Sequence, residues 1–261
     1  MDSKQIKHYA NELYQALRSA NPVAPLTERE PDMTIEDAYH ISRGFLEHRL
    51  GDGERIIGKK IGVTSKAVQN MLGVHQPDFG YLTDAMLATS DAPIVLDNQM
   101  IAARAEGEIA FVLKRRLMGP GVTNAQVLAA TECVMPCFEI VDSRIQDWKI
   151  KIQDTVADNA SCGMFVLGDS AVSPRGLDLT TVGMVMSLNG KVISTGAGAA
   201  ALGSPVNCVA WLANTLGQYG IALEAGEVIL SGSLVPLQPV KAGDSLNVSI
   251  GGLGTASVRF A

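Results

Sequence analysis

The sequence has few of the features that mark several broad classes of protein. Lysine and arginine number 21 against 27 aspartates and glutamates, a net charge of −6, so it lacks the basic excess of most proteins that bind nucleic acid or anionic membranes. No uninterrupted apolar run reaches the roughly 18 residues of a transmembrane helix. Four cysteines are too few for a disulfide scaffold. We therefore expect a cytoplasmic protein with reduced thiols and with no nucleic-acid or membrane partner.

What the sequence does have is apolar residues in two different patterns. A length of 261 residues with 47% hydrophobic positions suits one large domain, or a domain with a small appendage. Residues 1–55 carry apolar side chains at helical spacing. From residue 56 onward, strand-like segments dominate and few helices separate them, which favours an α+β domain over a doubly wound parallel sheet. We predict a helical N-terminal region (1–55) and a catalytic β-roll domain (56–261).

Local signals place the main elements of the second region. The hairpin turn at Asn189-Gly190 is the strongest of them, and Pro205 suits the first turn of a helix that runs towards Gly217. Proline and polar residues predict a loop at 74–80. Strands are predicted over 56–63, 100–113, 137–141, 184–188 and 191–195, and helices over 65–72 and 124–133.

Three carboxylates are the most informative candidates for chemistry. Glu106 and Glu108 stand two apart in a predicted strand, so both point to the same face. Glu139 lies in another apolar strand, and pairing of the two strands would bring the three acids together. Oxygen ligands of this kind suit Mg²⁺, Mn²⁺ or Ca²⁺. An exposed strand face, with glutamates solvated or paired with Arg104 or Arg144, fits the same pattern.

Three further residues have both a chemical and an ordinary interpretation. Lys60 shares its strand face with two glycines, which leaves space beside it for a ligand, although a surface lysine also fits. Asp78, in the predicted loop, could act as a general base or could cap a turn. Ser161 ends a polar segment that could hydrogen-bond a substrate, although turn chemistry explains it equally well. Histidine-based catalysis is poorly supported, because only His75 lies outside a predicted helix.

Taken together, these segments make the chain resemble the hydratase/decarboxylase family of aromatic meta-cleavage pathways, within the fumarylacetoacetate hydrolase superfamily. The resemblance extends over nearly the whole length and is carried by the segments 58–65 (GKKIGVTS), 104–108 (RAEGE), 136–144 (PCFEIVDSR), 156–161 (VADNAS), 225–229 (AGEVI) and 241–244 (KAGD). It implies the fold of that superfamily, a mixed β-roll or barrel.

The resemblance also implies an activity and a division of roles. It implies Mg²⁺ or Mn²⁺ held by Glu106, Glu108 and Glu139, and hydration of 2-hydroxypenta-2,4-dienoate (2-oxopent-4-enoate) to 4-hydroxy-2-oxopentanoate. Lys60 would transfer a proton or stabilise the enolate, Asp78 would orient or activate water, and Ser161 would bind the substrate. A homo-oligomer, and a complex with 4-oxalocrotonate decarboxylase, are implied as partners.

Other activities within and beyond this family fit the sequence less well. The alternatives are 4-oxalocrotonate decarboxylation, hydration of a longer 2-oxo-alkenedioate, C–C bond hydrolysis, and a non-catalytic scaffold in a decarboxylase complex. The scarcity of histidine argues against the hydrolase. The presence of all three glutamates together with Lys60 argues against the scaffold.

Overall fold

The computed structural model describes residues 1–261, and its N-terminal part is helical. Three helices precede the first strand: α1 (Ser3–Ser19), α2 (Leu26–Arg29) and α3 (Ile35–Gly51). Asp2 caps α1 by accepting the backbone amide of Gln5, and Thr34 caps α3 by accepting that of Asp37. Because these caps satisfy amides that have no partner within the helix, they fix where each helix starts. The predicted N-cap at Thr34 is confirmed.

Four α-helices and twelve strands follow, joined by loops and short 3-10 turns. The helices are α4 (Lys66–Leu72), α5 (Asn124–Ala130), α6 (Ile152–Ala157) and α7 (Pro205–Gly217). The strands are β1 (Ile56–Gly62), β2 (Asp78–Thr83), β3 (Leu87–Ala88), β4 (Arg104–Leu113), β5 (Thr131–Val141), β6 (Cys162–Leu167), β7 (Gly183–Leu188), β8 (Lys191–Ala197), β9 (Val228–Leu230), β10 (Gln238–Pro239), β11 (Ser245–Ile250) and β12 (Gly254–Arg259). Asn189 and Gly190, both with positive φ, join β7 to β8 as predicted.

The strands form two sheets. The larger sheet has eight strands in the order β2-β1-β9-β4-β5-β6-β3, with β10 pairing to β4, and the smaller has four in the order β12-β11-β7-β8. Parallel and antiparallel pairs are mixed, since β1 runs parallel to β9 while β4 runs antiparallel to both β9 and β5. The predicted α+β class, with its β-roll and N-terminal helices, is confirmed.

The main hydrophobic core lies between the two sheets and α7. It includes the fully buried side chains of Phe111 on β4, Phe138 on β5 and Val248 on β11. Burial of one such side chain stabilises the fold by about 1.5–3 kcal/mol. A second cluster joins α1 and α3 to α6 through residues such as Phe45 and Val156. The N-terminal helices are thereby held against the element that follows β5.

Several predicted boundaries are wrong, among them the start of the strand predicted over 137–141, which begins at Thr131. The strand predicted from residue 100 begins at Arg104, because Asp142 accepts the backbone amides of Ile101 and Ala102. The helix predicted over 124–133 ends at Ala130, because β5 begins at the next residue, Thr131. The loop predicted over 74–80 ends early, because residues from Asp78 onward pair with β1.

The cysteines and the helices match two expectations drawn from the composition of the chain. All four cysteines are free, and three of them are buried, as their apolar surroundings predicted. None of the helices combines the length and the apolar character that crossing a membrane requires.

Candidate functional site

The three glutamates meet at the centre of the larger sheet. Glu106 of β4 lies directly opposite Glu139 of β5, and Glu108 follows two residues along the same face of β4. One carboxylate oxygen from each residue lies within 4.8 Å of the other two. Glu108 and Glu139 are fully buried, and Glu106 is half-buried. The predicted convergence of the three side chains is confirmed.

Most of these buried oxygens have no hydrogen-bond partner. Glu108 accepts the backbone amide of Gly232 at 2.8 Å through Oε2, but its Oε1 and both oxygens of Glu139 accept none. One cation, the ammonium of Lys60, lies 3.1 Å from Oε1 of Glu139, but it faces three carboxylates. Buried oxygens that accept no hydrogen bond are costly, and folded proteins rarely keep them without a donor. Neither Arg104 nor Arg144 supplies one: Arg104 stacks on Trp148, and Arg144 forms its ion pair elsewhere. The interpretation of the glutamates as a solvated or arginine-paired face is wrong.

Charge repulsion and burial act together on this cluster. Burial, followed by the charge of Glu139, raises the pKa of Glu106 to about 8. Burial, followed by the charges of Glu139 and Glu106, raises the pKa of Glu108 well above its ordinary value. A divalent cation would relieve both effects, because it replaces lost water and neutralises like charges. The donor set is all oxygen, which fits a hard cation such as Mg²⁺.

Lys60 lies beside the cluster on β1. Its side chain is buried, and its Nζ lies 3.1 Å from Oε1 of Glu139. Burial by itself lowers the pKa of Lys60, but the charges of Glu139 and Asp78 outweigh that effect and raise the pKa above the ordinary value. The ammonium is therefore protonated over the physiological pH range. The interpretation of Lys60 as a surface lysine is wrong.

Glycine next to Lys60 leaves the room that was predicted. A Cβ atom on Gly62 would lie 3.1 Å from Nζ of Lys60 and 2.3 Å from Oδ1 of Asp78. A side chain at this position would displace one or both groups. The neighbouring Lys59 points to the opposite face, where its Nζ lies 2.6 and 2.7 Å from the two carboxylate oxygens of Glu227. The two adjacent lysines thus belong to different environments.

Asp78 faces the same space, but from a strand and not from a loop. It is the first residue of β2 and pairs with Gly62 of β1. Its side chain is buried, and Oδ1 has no hydrogen-bond partner. Burial raises its pKa, and the nearby Lys60 opposes that shift. A carboxyl group of this kind has free acceptor capacity next to a permanent cation.

Ser161 is held in a different way from the other candidates. It ends the turn Asn159–Ser161, in which φ is 52°, 50° and 54° in succession, a left-handed conformation that non-glycine residues adopt at a cost. The Asn159 side chain anchors this turn by accepting the amide of Tyr81 and donating to its carbonyl. The hydroxyl of Ser161 lies 3.1 Å from that of Thr155. It makes no hydrogen bond to the other five candidate residues.

A buried ion pair supports the segment that leads to Ser161. Nε of Arg144 lies 2.5 Å from Oδ1 of Asp158, and both side chains are completely buried. The Arg144 guanidinium also donates to the backbone carbonyl of Cys162 at 3.0 Å. Sequence reasoning missed this pair, as well as the roles of Asn159 and of the Gly232 amide. The polar run at 157–161 was the only available signal for the first two.

A cavity of about 340 Å³ opens beside Asp78. Asp78 lies in its wall and is the only one of the six candidate residues to do so. The other walls include Tyr39 of α3, Val74 after α4, and Val156 of α6. Tyr39 stacks on Phe79, the residue after Asp78, with ring centroids 4.4 Å apart. The N-terminal helices therefore contribute directly to the surroundings of the candidate site.

Residues 58–261 match the family described as fumarylacetoacetate (FAA) hydrolase C-terminal. The chain belongs to the fumarylacetoacetate hydrolase family. Within it, the chain is 71% identical over 222 residues to the 2-hydroxypent-2,4-dienoate hydratase of Pseudomonas putida, covering 85% of this chain and 100% of that protein. It is 60% identical to the 2-hydroxyhexa-2,4-dienoate hydratase of Comamonas testosteroni, over 99% of this chain and 98% of that one.

A solved structure matches the fold over its whole length. The 4-oxalocrotonate decarboxylase of Pseudomonas putida G7, complexed with magnesium and adipate, superposes with a TM-score of 0.96. It is 35% identical and covers 100% of this chain and 99% of that one. The resemblance to the hydratase/decarboxylase family is thus confirmed.

Proposed function

We propose that the chain is a hydro-lyase that converts 2-hydroxypenta-2,4-dienoate to 4-hydroxy-2-oxopentanoate in aromatic meta-cleavage catabolism. The 2-hydroxypent-2,4-dienoate hydratase at 71% identity supports this activity, and the 2-hydroxyhexa-2,4-dienoate hydratase at 60% identity supports the same reaction type. The observation that carries it is the meeting of three carboxylates beside a buried lysine, two of which, Glu108 and Glu139, have buried oxygens that accept no hydrogen bond. Such a site can bind a cation and a small anionic substrate together.

Glu106, Glu108 and Glu139 would hold a divalent cation, either Mg²⁺ or Mn²⁺. The oxygens of Glu108 and Glu139 that accept no hydrogen bond support this assignment, and so do the raised pKa values of Glu106 and Glu108. When bound, the cation supplies Lewis acidity that draws electrons towards the C2 oxygen of a 2-oxo acid. The Gly232 amide keeps one oxygen of Glu108 in place, so that the other can point into the site.

Lys60 acts on the oxygen-bearing end of the substrate. Its ammonium is fixed next to Glu139, in surroundings that keep it charged. It therefore stabilises negative charge that develops on the C2 oxygen when the dienol loses its hydroxyl proton. C5 gains a proton in the same step, the double bond moves to C3–C4, and an α,β-unsaturated 2-oxo acid results.

Asp78 acts on the water that adds next. Its free oxygen can accept a hydrogen bond from water, which orients the attacking lone pair. As the water oxygen bonds to C4, one of the two water protons passes to Asp78 and the other stays in the new hydroxyl. Asp78 then returns its proton to C3, which completes the 4-hydroxy-2-oxo acid. The Ser161 hydroxyl donates a hydrogen bond to the substrate, and its left-handed turn supports that role.

A product assay separates this function from decarboxylation. Purified protein with Mg²⁺ is given 2-hydroxypenta-2,4-dienoate, the ultraviolet absorbance of the dienol is followed, and CO₂ is trapped. We expect the absorbance to fall and 4-hydroxy-2-oxopentanoate to form without CO₂. Glu108→Gln should abolish turnover with the fold intact, and Glu132→Gln, an exposed acid on the same sheet, should retain it. Release of CO₂ from 4-oxalocrotonate at a comparable rate would favour the decarboxylase.

We also propose how the chain is organised and assembled. Residues 1–55 form a helical region that packs on a catalytic domain of residues 56–261, since the second cluster joins α1 and α3 to α6. The chain forms a homo-oligomer in the cytoplasm and associates with 4-oxalocrotonate decarboxylase. Exposed apolar side chains on the edge strand β8, Val192 and Ile193, support association. Light scattering after size-exclusion chromatography, with and without the decarboxylase, tests both assemblies.

A further inference from the structure

A second cavity, of about 300 Å³, lies at the start of β4 and contains none of the six candidate residues. Arg104 is the only charged side chain in its lining. The other walls are apolar and include Leu96, Met100 and Val240. Because no carboxylate lines this cavity, the positive charge of Arg104 has no counter-ion in it.

The Arg104 guanidinium is held in place by stacking. Its Cζ lies 4.4 Å from the centroid of the Trp148 ring, which is within the range of a cation–π interaction. The indole is itself fixed, because its Nε1 donates to the carbonyl of Ala102 at 2.9 Å. The backbone of Arg104 pairs with Val141 of β5 on one side and Pro239 of β10 on the other. The cation therefore has a fixed position in the cavity wall.

The segments around this stack are held by strain and by hydrogen bonds. The backbone φ is 57° at Asp147 and 55° at Trp148, a left-handed conformation that is costly for a bulky residue. Strain of this kind collects at binding sites. On the opposite segment, Asp142 accepts the backbone amides of Ile101 and Ala102 at 3.0 and 2.7 Å. The wall of the cavity is thus formed before any ligand arrives.

The guanidinium keeps free hydrogen-bonding capacity. Arg104 is half-buried, yet its side chain forms no hydrogen bond and no ion pair within the chain. Stacking on Trp148 uses the face of the guanidinium, whereas its N–H donors lie in the plane of the group. A planar fork of this kind binds a carboxylate through two parallel hydrogen bonds.

We propose that this cavity binds a small monocarboxylic acid, with the carboxylate paired to Arg104 and the hydrocarbon body against the apolar walls. A volume of about 300 Å³ is at the small end of ligand-binding pockets. A dianion such as phosphate fits less well, because the lining offers one cation and no other free donor side chain. Since the three glutamates and Lys60 lie outside this cavity, binding here does not depend on the proposed function.

A matched pair of probes tests the proposal. Cyclohexanecarboxylate and cyclohexanecarboxamide have the same ring, and only the first is charged. Trp148 and Trp211 are the only tryptophans, so a Trp211→Phe background reports the emission of Trp148 alone. In EDTA, calorimetry should show saturable binding of the carboxylate that changes this emission, and at least about tenfold weaker binding of the amide. Equal affinities, absence of carboxylate binding, or binding without a change in emission would overturn the proposal.

Substitutions of arginine show whether the cation is responsible. Arg104→Gln should weaken carboxylate binding at least about tenfold, and Arg175→Gln, an exposed arginine outside this cavity, should leave it unchanged. Arg104→Lys keeps the charge but not the two parallel hydrogen bonds. It provides a second variant if Arg104→Gln does not fold, and it should also bind the carboxylate more weakly than the unmodified protein. Unchanged affinity in the folded Arg104 variants would contradict the assignment.

Discussion

Replacing Glu106 with glutamine is expected to stabilise the metal-free protein and to remove its stabilisation by Mg²⁺. In the folded state the pKa of Glu106 is about 8, against an ordinary value of 4.5. The folded state therefore binds this proton more tightly than the unfolded chain does. The resulting destabilisation is absent below about pH 4.5, grows as the pH rises to about 8, and stays constant above that.

The size of the effect follows from that shift. At pH 7.5 the difference is roughly three pKa units, and at about 1.4 kcal/mol each this amounts to about 4 kcal/mol. Burying the glutamine amide in the same place costs about 1–3 kcal/mol, so a net gain of about 2 kcal/mol remains. For a chain of this size, that corresponds to a rise of about 4–8 °C in Tm. At a saturating concentration, Mg²⁺ should raise the Tm of the unmodified protein but not that of the variant.

Calorimetric unfolding in EDTA and in excess Mg²⁺ measures both effects. Glu132→Gln is the matched control, because Glu132 is exposed on β5 and its loss should change the free energy of unfolding by less than about 0.5 kcal/mol. A lower Tm for Glu106→Gln in EDTA would refute the repulsion argument. Full stabilisation of that variant by Mg²⁺ would refute its role as a ligand.

Three further predictions concern the neighbouring groups. Lys60→Met should lower kcat, measured by steady-state kinetics, at least about 100-fold. Its Mg²⁺ affinity, measured by calorimetry, should not fall. Weaker Mg²⁺ binding with kcat retained would contradict this role. Apparent Mg²⁺ affinity should rise from pH 6.5 to about 8, because the proton on Glu106, whose pKa is about 8, must leave before the metal binds. Calorimetric affinities that do not change over this pH range would disprove it. Asp78→Asn should lower kcat about 100-fold. Its Tm should be unchanged or raised, because Oδ1 of Asp78 has no hydrogen-bond partner to lose. Turnover at the original rate would exclude Asp78 as the base.

The parts of the site that sequence reasoning predicted depend on local geometry. The alternation of a strand put Glu106 and Glu108 on one face, and a second apolar strand offered Glu139 as their partner. Glycine beside Lys60 indicated free space, and the structure places Asp78 in it. The general fold followed from the change of apolar spacing near residue 55. In each case the signal lies in the segment that carries the feature.

The parts that were missed depend on contacts between distant segments. Asp78 starts a strand because β1 supplies its pairing partner, which the proline at 77 conceals. The turn before Ser161 is left-handed where the Asn159 side chain docks on Tyr81, 78 positions away. Tyr39 reaches the cavity only because α3 packs on α6. No local pattern predicts these contacts, because each forms only when distant segments of the chain pack together.

The most direct measurement of the central claim is anomalous diffraction from crystals grown with Mn²⁺. The account predicts one strong anomalous peak enclosed by the carboxylates of Glu106, Glu108 and Glu139, and its loss in crystals of Glu108→Gln. A peak elsewhere in the molecule, or none at saturating Mn²⁺, would contradict it.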